Sequence, residues 1–151
     1  MKEINKPVFE GLVMVCDDNN MNAMVICDHL KRVGLKVIIS QSGNDGIDRV
    51  QKRAHNAASG SRKDDSLNSA DADKQFDLIF MDIHMPVMDG LEASMRIKEI
   101  DNNIPIVALT TDKMFEERKT YIDSGIVGYL GKPFKTQELW ECLTKYLKQI
   151  K

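Results

Sequence analysis

The 151-residue chain carries 23 acidic and 21 basic side chains, a formal net charge of −2, so no broad basic surface points to nucleic acid. Hydrophobic residues make up 42% and mean hydropathy is −0.33, which allows one domain with a sizeable core, while no apolar run approaches the ~18 residues of a membrane helix. Met1 to Asn5 lacks the apolar core of a signal peptide, and Cys16, Cys27 and Cys142 form neither a CxxC pair nor a disulfide framework, so reduced thiols and a cytoplasmic location are expected.

Residues 1–10 read as a polar lead-in. Leu12 to Cys16 is a continuous apolar run, as a central parallel strand requires, and it stops at Asp17-Asp18-Asn19-Asn20. A helix follows with Ala23, Ile26, Leu30 and Val33 on one face and Gly34 as its stop. Lys36 to Ser40 is the second strand. Ser42 is placed to cap a helix reaching about Arg53. His55 to Gln75 is polar apart from Leu67, buries too little to offset its ordering entropy, and reads as a flexible insertion. Leu78 to Met81 is the third strand, ending in Asp82 and a turn built from Pro86 and Asp89-Gly90. The next helix carries Ala93, Ile97 and Ile100. Ile106 to Thr110 is the fourth strand, and Asp112 can cap a helix reaching Ser124-Gly125. Val127 to Leu130 is a short fifth strand, Gly131-Lys132-Pro133 turns the chain, and Thr136 caps a last helix with the stripe Leu139, Leu143, Leu147 and Ile150. Strand and helix alternate five times, which predicts an α/β fold: a five-stranded parallel, doubly wound sheet.

Ligands of open α/β sheets bind at the carboxyl ends of the strands. Asp17, Asp18, Asp82, Thr110 and Lys132 all fall at such ends. In the strand order 2-1-3-4-5, strands one and three are neighbours and three carboxylates converge. Two like charges ~4 Å apart repel by roughly 4 kcal/mol at an effective dielectric near 20. An all-oxygen cluster of this kind suits Mg²⁺ or Mn²⁺, and no histidine or thiolate arrangement suggests zinc. A metal, an ammonium and a hydroxyl around one carboxylate form a receptor for a phosphoryl group, with Asp82 placed to act as nucleophile. Each of these residues alone has an ordinary structural reading: an Asp after a strand caps a helix, and a Lys before a Pro sits in solvent. Together they would have to coincide at the right strand ends.

The segments Val15 to Asn19, Met81 to Ala93, Ala108 to Thr110 and Leu130 to Phe134 resemble the receiver domain of two-component response regulators over residues 11–150, most nearly those attached to hybrid histidine kinases. The resemblance implies the flavodoxin-like (βα)5 fold with strand order 2-1-3-4-5. It implies that Asp82 accepts a phosphoryl group from a phosphohistidine on a histidine kinase or histidine phosphotransfer protein. Asp18, Asp82 and the backbone carbonyl of His84 would bind Mg²⁺ directly, and Asp17 through water. Thr110 and Lys132 would bind phosphoryl oxygens, Tyr129 would be the aromatic switch that follows Thr110, and the Lys132-Pro133 bond would be cis. The module would catalyse only its own phosphorylation and dephosphorylation. It would switch the face of the fourth predicted helix, fifth strand and fifth predicted helix, through which receivers also pair as homodimers. Three readings compete. A haloacid dehalogenase-type phosphatase keeps its nucleophile after strand one in a DxD pattern, which Asp17-Asp18 does not match. A flavin-binding domain needs hydroxyls and amides after strand one. A degenerate receiver would lack part of the set. Two departures stand out: the link at His55–Gln75 is longer than such receivers use, and Thr111 is bulkier than the alanine common there.

Overall fold

The computed structural model describes residues 6–59, 74–85, 88–110 and 123–150. The strands are β1 Leu12–Cys16, β2 Lys36–Ser40, β3 Leu78–Asp82, β4 Ile106–Thr110 and β5 Gly128–Gly131, with α1 Asn20–Arg32, α2 Gly43–Ser59, α3 Gly90–Ile100 and α4 Thr136–Tyr146. All strand pairs are parallel, in the order β2-β1-β3-β4-β5 that the resemblance implied.

The three central strands, β1, β3 and β4, are buried on both sides, and strand alternation sorts their residues into two cores. Val13, Val15, Leu78, Phe80, Val107 and Leu109 face α1 and α4, whose Ala23, Ile26, Leu30, Leu139 and Leu143 complete one core. Leu12, Met14, Ile79, Met81, Ile106 and Ala108 face the other way and meet Val50 of α2 and Ala93 and Ile97 of α3. An unbroken apolar run such as Ile106-Val107-Ala108-Leu109 is therefore used on alternate sides. Each fully buried large side chain contributes roughly 1.5–3 kcal/mol.

Local signals set the helix ends. Asn19 caps α1 by accepting from the Asn22 N–H at 3.0 Å, and Asp89 caps α3 by accepting from the Glu92 N–H at 2.9 Å. Gly34 takes φ +97° just beyond α1, and a side chain there would also meet the Phe9 carbonyl at 2.8 Å. Ser42 accepts from the Asp45 N–H at 3.0 Å, as its cap role predicts.

The structure departs from the sequence reading at several edges. Helix α2 runs past Arg53 to Ser59, so the start of the expected insertion is helical. Arg53 stacks its guanidinium 4.6 Å from the Phe76 ring centroid and donates to the Lys74 carbonyl at 2.8 Å, drawing the two described ends of that connection together. Residues 60–73, Pro86, Val87, Asp112 and most of the fourth predicted helix lie outside the described residues. Phe9, expected in a polar lead-in, is buried in the core and bridges antiparallel to Gln149. Thr136 is the first residue of α4, not its cap. Lys135 holds the cap position, and its N–H is taken by the Glu138 carboxylate at 2.8 Å. That helix ends at Tyr146. Ile150, expected on its buried stripe, is exposed because the chain leaves the helix to give its N–H to the Val8 carbonyl at 2.7 Å. Met21, Met24 and Met95 are exposed.

Candidate functional site

The sheet register brings the candidate residues together. Cys16 pairs with Met81, so the residues that follow each, Asp17 and Asp82, lie side by side. Asp82 pairs with Leu109, and Thr110 with Gly131, so the ends of β4 and β5 stand level with them. The Lys132 N–H donates to the Thr110 carbonyl at 2.8 Å, which extends the β4–β5 ladder by one bond and fixes the base of the lysine. The Lys132-Pro133 peptide is cis.

Carboxylate oxygens of Asp17, Asp18 and Asp82 lie within 4.8 Å of one another. Asp17 and Asp82 are buried, while Asp18 is exposed. The Lys132 ammonium sits 3.3 Å from Asp17 Oδ2 and 3.6 Å from Asp82 Oδ1. Backbone amides orient the two buried carboxylates: Asn19 N–H donates to Asp17 Oδ1 at 2.9 Å and His84 N–H to Asp82 Oδ1 at 3.2 Å. Thr110 is also buried, at the end of β4. The structure thus gathers Asp17, Asp18, Asp82 and Lys132 into one cluster, with Thr110 at the adjoining strand end. Tyr129 pairs with Ala108, two ladder positions before Thr110–Gly131, and is 40% exposed.

The electrostatics are strained. One ammonium stands among three carboxylates, two of them out of water. Burial, helped by the Asp17 charge, pushes the Asp82 carboxyl up to about 6, against the opposing pull of Lys132 and the His84 N–H. Burial and the surrounding carboxylates push the Cys16 thiol up to about 12, so this neighbour of the site is an inert core group. The cluster offers only oxygen donors and an excess of negative charge. Both properties fit a hard divalent cation such as Mg²⁺.

Sequence reasoning missed three features. It gave Lys132 no ion pair within the acidic cluster, although the ammonium is held by Asp17 and Asp82. It gave Asn19 no part in the site, although the Asn19 amide orients Asp17 while its side chain caps α1. It read Gly90 as part of the turn after Asp82, without the close approach that excludes a side chain: a β-carbon there would fall 2.2 Å from the Asp82 carbonyl oxygen. No residue spacing reports that approach, because it depends on how the loop after β3 folds back.

The sequence profile of the response regulator receiver domain matches residues 13–144. Hybrid signal transduction histidine kinase I of Dictyostelium discoideum is 30% identical over 145 residues, covering 91% of this chain and 7% of that protein. Sensor histidine kinase RcsC of Salmonella typhi is 25% identical over 140 residues, covering 93% of this chain and 13% of that protein. This chain therefore spans a small part of the curated relatives it matches. Among solved structures, the receiver domain of sensor histidine kinase PA1611 from Pseudomonas aeruginosa holds a magnesium ion in its active site cleft. It superimposes with a TM-score of 0.70 at 26% identity, covering 91% of this chain and 97% of that one. The chemotaxis protein CheY4 of Vibrio cholerae shares the fold with a TM-score of 0.72 at 24% identity, covering 91% and 99%.

Proposed function

The chain belongs to the response regulator receiver domain family, and from that premise we propose that Asp82 is its phosphoacceptor and takes a phosphoryl group from a phosphohistidine. The observation that carries this reading is the cluster itself: Asp17, Asp18 and Asp82 oxygens within 4.8 Å, with the Lys132 ammonium between the two buried carboxylates. In the transfer, an Asp82 carboxylate oxygen forms a bond to phosphorus, the phosphorus–nitrogen bond breaks with its electron pair going to the imidazole nitrogen, and the leaving imidazole takes up a proton from water. Although burial pushes its carboxyl up to about 6, Asp82 is largely ionised near pH 7, as a carboxylate nucleophile must be.

Asp18, Asp82 and the backbone carbonyl of His84 would hold Mg²⁺, or Mn²⁺ in its place, with Asp17 acting through water. The bound ion supplies charge neutralisation at the phosphoryl oxygens. Lys132 and Thr110 bind those oxygens from the β4–β5 side. Lys132 exchanges part of its contact with Asp17 and Asp82 for the new anion, and Thr110 donates its hydroxyl. Drawing Thr110 inward opens space for Tyr129 to rotate, which passes the change to the face of β5 and α4. The same face, where Val127 and Tyr129 are exposed, would serve pairing of two copies.

The donor is a protein: a histidine kinase or a histidine phosphotransfer protein. Beside the site, α1 exposes Met21, Met24 and Val25 within one and a half turns, apolar surface that a free metabolite would not need. The module catalyses only its own phosphorylation and dephosphorylation. Among the described residues no helix is long and apolar enough to cross a membrane, and the place proposed for this domain is the cytoplasm, either free or as part of a hybrid kinase. Neither the geometry nor the comparisons support the phosphatase alternative or a degenerate receiver.

The test is incubation with a small phosphodonor and Mg²⁺, followed by intact-mass measurement. Wild type should gain one phosphoryl group and Asp82→Asn none. A mutant that gains that mass at the wild-type rate ends the assignment.

A further inference from the structure

We infer that Gly90 is a positioning residue for the acceptor: with no side chain, it lets the start of α3 rest on the backbone of Asp82 and so sets where the Asp82 carboxylate and the His84 peptide stand. This inference rests on the reading of Asp82 as phosphoacceptor and goes beyond it.

A β-carbon on Gly90 would meet the Asp82 carbonyl oxygen at 2.2 Å, the Asp82 carbonyl carbon at 2.9 Å and the Ile83 Cα at 2.9 Å. All three are backbone atoms, so no side chain can swing aside. Unlike Gly34, Gly90 is needed for this close approach and not for a left-handed φ. The contact is tied by a hydrogen bond: Gly90 N–H donates to the Ile83 carbonyl at 3.0 Å, closing the loop that leaves β3. One residue further, His84 N–H donates to Asp82 Oδ1. The Ile83 carbonyl and the His84 N–H are the two ends of one peptide group, so the linkage runs from Gly90 through that single peptide to the acceptor carboxylate.

If a side chain forces the two segments apart, the weaker one moves. Helix α3 is anchored by the Asp89 cap and by Ala93 and Ile97, both fully buried. Among the described residues the β3 ladder continues beyond Asp82 only through the Ile83 N–H, which donates to the Leu109 carbonyl at 3.2 Å. The displacement falls on Ile83 and His84, which bear the amide that orients Asp82 and the carbonyl offered to the cation. Loss of a group that holds a metal ligand in place typically costs 10–100-fold in metal affinity.

The test compares Gly90→Ala with Gly34→Ala by calorimetric Mg²⁺ titration, alongside urea unfolding. Gly34→Ala also drives a β-carbon against backbone, the Phe9 carbonyl at 2.8 Å, but at the opposite end of the sheet. The expected result is Mg²⁺ binding weakened at least about 10-fold in Gly90→Ala and unchanged in Gly34→Ala, though both lose stability. Gly90→Ala that folds and binds Mg²⁺ within about two-fold of wild type overturns the inference. If Gly90→Ala does not fold, the amide resonances of wild type decide. On Mg²⁺ addition the Gly90 amide should shift clearly more than the Gly34 amide, and equal small shifts overturn the assignment. Wild type separates the two levels of argument, since failure of wild type itself to bind Mg²⁺ removes the metal site and Gly90's role with it.

Discussion

Replacing Asp82 by Asn should make the metal-free protein more stable, although it removes a residue central to the site. The Asp82 side chain is only 8% exposed, and its carboxyl is pushed from 3.8 up to about 6. A raised folded-state value means that the fold prefers the neutral acid. The associated stability is fully present below the unfolded value and is lost as pH rises through the folded one, between about pH 4 and pH 6. The shift corresponds to about 3 kcal/mol of destabilisation once Asp82 is ionised. Asparagine keeps an oxygen for the His84 N–H and carries no charge. In a chelator, near pH 8, Asp82→Asn should therefore exceed wild type by about 2–3 kcal/mol, or roughly 5–10 °C in Tm for a chain of this length. Near pH 4 the two should coincide. Mg²⁺ at a hundred times its Kd should raise wild type by about 2.7 kcal/mol and largely erase the difference. Urea unfolding followed by Trp140 fluorescence and far-ultraviolet circular dichroism measures all three conditions. Equal stability near pH 8, or a gain independent of pH, would refute the account of Asp82 as a buried charge strained by its neighbours.

Four further outcomes are expected. Asp18→Ala should weaken Mg²⁺ binding more than Asp17→Ala, because Asp17 already accepts from the Asn19 amide and Lys132 whereas Asp18 faces solvent; equal losses in a metal titration count against that division. Lys132→Met should push the Asp82 carboxyl above its present value, by removing its principal opposing charge, and should slow phosphoryl uptake by at least about 100-fold; carboxyl-carbon NMR titration and a mass time course read the two effects. Removing residues 60–73 and joining Ser59 to Lys74 by a short turn should leave the phosphorylation rate within about two-fold of wild type, since closure entropy changes slowly with loop length. A large fall in rate without unfolding would show that the segment reaches the site. Arg53→Ala should cost about 1–3 kcal/mol in urea unfolding by removing the stack on Phe76 and the bond to Lys74, with Mg²⁺ affinity unchanged; a lowered Mg²⁺ affinity would contradict separation of the two ends of the sheet.

The alternation of elements, and the strand ends at which the chemistry stands, were legible in the order of residues alone. Apolar runs such as Leu12–Cys16 and Ile106–Thr110 mark buried parallel strands whatever their neighbours, and the abrupt change to Asp17, or to Asp82 and its turn, marks where each run stops. Those signals are local, and the acidic triad with Thr110 and Lys132 followed from them once the strand order was given. Signals that depend on distant parts of the chain were not legible. Phe9 is buried in the core that α1 and α4 cover, held there by a backbone bridge to Gln149 at the other end of the chain, and α2 continues to Ser59 without an apolar stripe to announce it. The state of the site also belongs to the tertiary structure. Lys132 reaches Asp17 across 115 residues of sequence, and only that placement makes it a counterion for two buried carboxylates. The upward push on Asp82 arises from burial by the whole fold, and the need for glycine at position 90 from a helix start that returns so close to the acceptor's own carbonyl that a β-carbon there would collide with it. Periodicity reports which face a residue shows to its neighbours along the chain. Distance, desolvation and the balance of charges arise only when separate strand ends are brought to one place.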